Sequence, residues 1–157
     1  MAQCFMDTPV GRIRMVEKDG FLTQITFTGE KCPDVLVEEN EILMEAKRQL
    51  TAYFEGKLKK FSLPLNPSGT EFYQTVWKAL TEIPYGKTKS YGDIAKAIGN
   101  PSASRAVGMA NHNNPIAIVV PCHRVIGKNG QLTGYAGGLE IKKYLLRLEH
   151  RHTLTDF

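Results

Sequence analysis

The sequence predicts an α+β protein in which a small β-rich N-terminal unit is followed by a mostly helical C-terminal one. Three observations carry this. Short apolar segments broken by turn residues fill the stretch from Cys4 to Phe27; apolar residues at helical spacing recur from Asn40 onward; and Asn66-Pro67-Ser68-Gly69-Thr70 gathers turn formers near the middle of the chain. The expected domains are therefore 1–67 and 68–157.

In the N-terminal unit, Cys4 to Asp7 and Gly11 to Val16 are extended pieces separated by Thr8-Pro9-Val10-Gly11. Phe21 to Phe27 follows Asp19-Gly20, a two-residue hairpin signal because glycine tolerates positive φ. From Asn40 to Phe54 the residues Ile42, Leu43, Ala46, Leu50, Tyr53 and Phe54 fall on one helical face, with Gly56 as the stop. Phe61, Leu63 and Leu65 alternate as one more strand. Asp7, Glu17 and Asp19 are scattered and read as solvated loop carboxylates, so the unit's expected role is structural.

In the C-terminal unit, Phe72, Tyr73, Val76, Trp77, Leu80 and Ile83 mark an amphipathic helix ending before Pro84-Tyr85-Gly86. Ser90-Tyr91-Gly92-Asp93 has the form of an acidic capping box opening a short helix through Ile98, which Gly99 closes. Asn100-Pro101 turns the chain, and Ser102 is placed to cap a second helix over 103–110, rich in Ala, Gly and Ser. Two short helices across a tight turn form a helix-turn-helix pattern. Arg105 is a long cation on a face of small side chains, which suits insertion into DNA. Gly127-Lys128-Asn129-Gly130 has hairpin-turn composition between Val125-Ile126 and Gln131-Leu132, the wing of a winged helix. Gly134-Tyr135-Ala136-Gly137-Gly138 is glycine-rich but lacks the spacing of a phosphate cradle. Leu139 to Glu149 is the last helix, with Ile141, Tyr144, Leu145 and Leu148 apolar.

The chain's 157 residues, 42% hydrophobic and 23% charged, are ordinary for a globular protein. Met1-Ala2-Gln3-Cys4 does not begin a signal peptide and no run is long enough to cross a bilayer, so the cytoplasm is expected and no membrane partner is. Cys4, Cys32 and Cys122 are odd in number and show no CxxC spacing, which argues against a disulfide framework and a zinc ribbon. No metal is expected, the alternative being one held by Cys4, Cys32 and a distant His. Residues 1–67 carry 9 Lys and Arg against 10 Asp and Glu, whereas residues 68–157 carry 11 against 6. The basic half suits a polyanion and equally a solvated surface.

The basic half also holds the run Ile116-Ala117-Ile118-Val119-Val120-Pro121-Cys122-His123-Arg124-Val125. Its β-branched start reads as a buried strand, which Pro121 ends, so that the backbone leaves regular structure where Cys122 sits. A thiolate is a nucleophile, and a base or positive charge nearby lowers a thiol's pKa from about 8.5. His123 is the adjacent base, reaching Cys122 through a turn or a bridging water. The alternative reading is a buried cysteine beside a surface histidine.

Pro121-Cys122-His123-Arg124-Val125 resembles the active-site signature of the O6-alkylguanine-DNA alkyltransferases. Asn114-Pro115, Tyr135 with Gly137-Gly138, and Glu149 occur in that family's order and spacing, and the resemblance runs from about Phe72 to His150. Cys122 is not replaced, as it is in the family's non-catalytic relatives. The resemblance implies an RNase H-like N-terminal domain and a winged helix-turn-helix C-terminal one. It implies a stoichiometric DNA repair protein, a monomer needing no cofactor, whose partner is double-stranded DNA carrying O6-alkylguanine, with O4-alkylthymine a second substrate. Cys122 would accept the alkyl group, with His123 as base through a water, Glu149 orienting it, Asn114 fastening the turn and Tyr91 donating to the guanine. Arg105 would fill the space of a flipped nucleotide on a helix in the minor groove, Ser102, Ala106 and Tyr91 contacting DNA beside it. Tyr135, Ala136, Val125 and Lys142 would bind the base. Two rivals stand beside this reading: a cysteine hydrolase pairing Cys122 with His112 or His150, and a DNA-binding module whose Cys122 is core.

Overall fold

Burial alternates along the first two strands, as a half-covered sheet requires: Ala2 and Cys4 are buried on β1 (Ala2–Thr8) and Ile13 and Met15 on β2 (Gly11–Lys18), while β3 (Phe21–Gly29) buries Leu22 and Ile25, three residues apart. The structure is a computed structural model that describes residues 1–29, 40–135 and 137–154. Cys32 and Ala136 lie outside the described residues. Two compact units divide the chain, Met1–Ser68 and Gly69–Phe157.

In the first unit the strands form an antiparallel meander, Cys4 opposite Met15 and Met15 opposite Ile25. The β2–β3 turn is built by Asp19 and Gly20, both at positive φ (54° and 86°), which matches the strand twist. A register shift between Val16 and Glu17 leaves Thr23 as an extra residue on β3, which lets Leu22 and Ile25 both be buried against strict alternation. The helix α1 (Glu41–Phe54) is opened by Asn40, whose side chain accepts from the Leu43 amide at 3.0 Å. Its Leu43, Ala46, Leu50 and Tyr53 are buried and it contacts all three strands.

The segment 61–65 is not the regular strand its alternation suggests. Only Leu65 bridges Leu22, in parallel, between the bonds Leu22 N to Pro64 O (2.8 Å) and Asn66 N to Leu22 O (3.0 Å). Pro64 has no N–H to continue a ladder, and the Gln49 side chain takes the Ser62 backbone, accepting from its amide at 2.9 Å.

In the second unit, α2 (Glu71–Thr81) is capped by Thr70 and buries Val76, Trp77 and Leu80. Trp77 Nε1 donates 2.8 Å to the carbonyl of Ala110. A Cβ on Gly69 would stand 2.4 Å from the Trp77 ring, so glycine is required there for close approach. The α3 helix (Tyr91–Ala97) has both halves of its capping box, Ser90 Oγ to Asp93 N and Asp93 Oδ2 to Ser90 N. After Gly99 at φ 80°, α4 runs Ser104–His112, one residue later in start and two in end than expected. Ser102 does not cap it: its hydroxyl bonds Asn100 instead, at 3.2 Å, and the cap position belongs to Ala103.

The wing is reduced to its turn. Gly127 N donates to Gln131 O at 2.7 Å, but β5 (Val125–Ile126) pairs in parallel with β4 (Lys89–Ser90), and no strand forms at 131–132. The chain beyond the turn is held by side chains instead, since Thr133 O takes bonds from Lys142 and Tyr91. The last helix, α5, covers Leu139–Leu154 and packs against the turn at Cys122–Arg124.

Candidate active site

The apolar run 116–120 is buried throughout but is not a strand. It folds into a turn with Val120 N bonded to Ile116 O at 3.0 Å and Ile118 at φ 73°, a left-handed position that a β-branched residue occupies only under constraint. Asn114 supplies the constraint. Its Nδ2 donates to Val120 O at 2.8 Å and its Oδ1 accepts from Ile116 N at 3.0 Å, closing the turn with one amide. Pro121 then leads into a single 3-10 turn, Cys122–Arg124, where successive side chains diverge by about 120°. All three residues are buried.

His123 and Arg124 meet on Glu149. His123 Nε2 lies 2.6 Å from Glu149 Oε2, and Arg124 reaches the same carboxylate with Nε (2.8 Å, to Oε1) and Nη2 (3.1 Å, to Oε2). Arg124 Nη1 donates to Ile83 O at 2.7 Å, and Gly86 N donates to Glu149 Oε1 at 3.2 Å. Burial alone would raise the Glu149 carboxyl, but the hydrogen bond from His123 and the Arg124 guanidinium hold it well below the carboxylate range. Burial pushes His123 down despite Glu149, which favours the neutral imidazole. An ionised carboxylate only accepts, which assigns the His123 proton to Nε2 and the lone pair to Nδ1. Nδ1 is buried and has no hydrogen-bond partner among the described residues.

Cys122 is 5% exposed. The expectation that its thiol is lowered fails at rest: burial pushes it up, against opposing contributions from an Asn114 hydrogen bond, the Lys142 charge and a Tyr135 hydrogen bond. Lys142 is fully buried, its Nζ donating to Val125 O at 2.5 Å and Thr133 O at 2.9 Å, and burial lowers it to about 8. Tyr135 is buried and pushed far above 10 by that burial and by Cys122. Of the expected residues, Cys122, His123, Glu149, Tyr135, Val125 and Lys142 are thus buried in the second unit, with half-buried Asn114 closing the turn before Cys122.

Tyr91 and Arg105 are brought together elsewhere in the same unit, on an open pocket of about 390 Å³ shared with Ser104, Gly108, His112, Thr133 and Gly134. The Tyr91 hydroxyl bonds Thr133, at 3.3 Å to its carbonyl and 3.2 Å from its hydroxyl, and Lys142 bonds that carbonyl from the buried side. Ser102 and Ala106 are exposed beside this pocket without lining it. His112 and His150 are exposed on α4 and α5, and the orienting carboxylate serves His123 instead.

Sequence reasoning missed Arg124 and Thr133. The arginine lies inside the motif and could have been suspected from its place beside the reactive pair, but its partners, 41 and 25 residues away, leave no local signal. Thr133 acts through its backbone, which no side-chain pattern reports. Among the described residues no group of three or more His, Cys, Asp and Glu could hold a metal ion, and no helix is long and apolar enough to cross a membrane.

Two family models match the chain: the 6-O-methylguanine DNA methyltransferase ribonuclease-like domain over residues 1–67 and the DNA-binding domain of the same family over residues 71–151. A methylated-DNA–protein-cysteine methyltransferase of Methanosarcina acetivorans is 56% identical over 153 residues, covering 95% of this chain and 98% of that one. One from Mycobacterium leprae is 50% identical, covering 96% and 93%. The crystal structure of Mycobacterium tuberculosis OGT in complex with DNA superimposes with a TM-score of 0.89 at 45% identity, over 97% of this chain and 94% of that one.

Proposed function

The chain belongs to the 6-O-methylguanine DNA methyltransferase family and repairs DNA by moving an alkyl group onto a cysteine of its own, and from that premise we propose that Cys122 is the acceptor. The group comes from O6 of a guanine, or O4 of a thymine, in duplex DNA. The observation that carries this is the buried chain Arg124–Glu149–His123 adjoining Cys122, with the lone pair of His123 Nδ1 left over.

A thiol kept protonated by burial needs a base at the moment of reaction. His123 Nδ1 draws off the thiol proton through a water, and Glu149 stabilises the imidazolium that forms, the nucleophile–base–orienter logic of a triad. The Sγ–carbon bond forms as the carbon–O6 bond breaks, the electron pair leaving with the guanine, which regains a proton on its ring. Tyr91 donates to that departing base. Lys142, held by Val125 O and Thr133 O, keeps a positive charge beside the thiol and favours its ionised form.

The target atom lies within the base stack, so the nucleotide is flipped out at a cost of a few kcal/mol. Arg105 enters the vacated space from α4, whose exposed Ala106 and neighbouring Ser102 lie close to the minor groove, while Tyr135, Ala136 and Val125 wall the base. A thioether has no easy return to thiol, so each molecule acts once, as a monomer in the cytoplasm. Residues 1–67 support the fold and residues 68–157 bind DNA and perform the transfer.

The test is an intact mass and peptide map after mixing the protein with a duplex containing one O6-methylguanine. One methyl group on Cys122, saturating at one per protein, is expected; transfer to another residue, or none by a folded protein that binds the duplex, overturns the assignment.

A further inference from the structure

The outward face of α5 carries Lys143, Arg147 and Arg151, all exposed and each four residues from the next, so they align as one ridge along the helix. With Glu140 and Tyr144 they line a groove of about 230 Å³. We infer that this ridge is a second DNA-binding surface, taking the phosphate backbone of a duplex other than the one read by α4.

The charge is not explained by folding. Like charges four residues apart on a helix repel, and a solvated ridge ordinarily alternates sign. Here the residues three and four positions either side of Arg147 are Lys143, Tyr144, His150 and Arg151, with no carboxylate among them. The helix dipole accounts for a cation at Arg151 but not for the two before it. Among the described residues the one ion pair on the ridge joins Lys143 to Glu140 at 3.9 Å, and Glu140, 92% exposed, is too hydrated to neutralise three cations.

The ridge also points away from the reaction. The opposite face of α5 carries Lys142, Leu145, Leu148 and Glu149, all buried. Lys142 reaches Thr133, whose other bond comes from Tyr91 on the α4 pocket. Thr133 therefore stands between α5 and the surface that reads DNA, and the ridge lies on the far side of the helix. Eight residues of helix rise about 12 Å, comparable to the length of duplex axis that carries roughly three to four phosphates of one strand. A protein holding one duplex while touching another can pass between segments as it searches for rare lesions, and this holds whichever residue accepts the alkyl group.

The experiment uses the whole chain and two unmodified duplexes, one immobilised and one fluorescent. Captured protein is expected to retain the fluorescent duplex, with a log–log salt slope steeper than in K143Q/R147Q/R151Q by about 2 to 3. That variant is expected to lose at least tenfold in retention while binding the first duplex, melting and reacting with free O6-benzylguanine as the parent does. K143E/R147E/R151E should abolish retention. Failure of the parent chain to hold a second duplex overturns the inference, as does equal retention by the variants. A variant that loses the first duplex in the same proportion also overturns it, since the ridge then touches the same DNA as α4. Failure of methyl transfer to Cys122 is read separately, by mass.

Discussion

His123 Nε2 and Glu149 Oε2 stand 2.6 Å apart across 26 residues of chain, both side chains withdrawn from solvent. The contact decides which imidazole nitrogen holds the proton, and so turns the other, Nδ1, into the group able to accept one.

Replacing Glu149 by Gln preserves shape but removes the charge that settles that tautomer and leaves the Arg124 guanidinium buried without a counter-charge. Alkyl transfer is expected to fall by about a hundredfold or more, and stability at neutral pH by about 3 kcal/mol. The Glu149 carboxyl is held below its ordinary 4.5, so its stabilising effect is complete above that pH and is lost as pH falls further. The melting-temperature gap between the two proteins should narrow below pH 4.5, and a gap unchanged from pH 7 to 3 contradicts the assignment.

Lys142 is lowered too, in an alkaline window and by burial rather than by a partner. Burial lowers it from 10.5 to about 8, so between these values the unfolded chain binds a proton that the folded one does not. Stability therefore gains a rising contribution as pH goes from about 8 to 10.5. Urea midpoints at pH 7.5 and pH 10 should show that contribution in the parent protein and not in Lys142→Met. Identical pH dependence in the two would mean that the ammonium is not buried.

Arg105→Ala separates extrusion from chemistry. Repair of a duplex should slow by about tenfold or more, because the vacated stack is no longer filled. Reaction with free O6-benzylguanine, which needs no extrusion, should remain within about twofold of the parent rate. Equal losses on both substrates would remove Arg105 from that role.

Asn114→Ala opens the turn that holds Ile118 at φ 73°. Ile116 N loses its partner in a buried segment and Val120 O loses one of two, and a loss of about 1 to 3 kcal/mol is expected from chemical denaturation. Transfer should fall with it, since Cys122 N bonds Val120 O at 2.8 Å within the same turn.

What could be read from the chain was whatever neighbours in sequence decide. Asp19-Gly20 and the Ser90–Asp93 box are settled within a few residues of chain, and each formed as its composition indicates. The errors came where a local pattern was overruled from a distance. Ile116 to Val120 has strand composition, but Asn114 closes it into a turn; Phe61, Leu63 and Leu65 alternate, but Pro64 interrupts their pairing. Gln131-Leu132 follows a well-formed turn, but the next residue is claimed by Lys142 and Tyr91. At the proposed reaction centre Cys122, His123 and Glu149 were legible as types and the thiol's raised pKa was not, because that depends on how deeply the finished fold covers it.

Trp77 is the sole tryptophan of the chain, 2% exposed, and its indole N–H ends on a carbonyl in α4. The protein therefore carries its own optical reporter on the helix that bears Arg105. Indole emission shifts with the polarity and hydrogen bonding around the ring, so any displacement of α4 on docking can be followed by intrinsic fluorescence, without a dye.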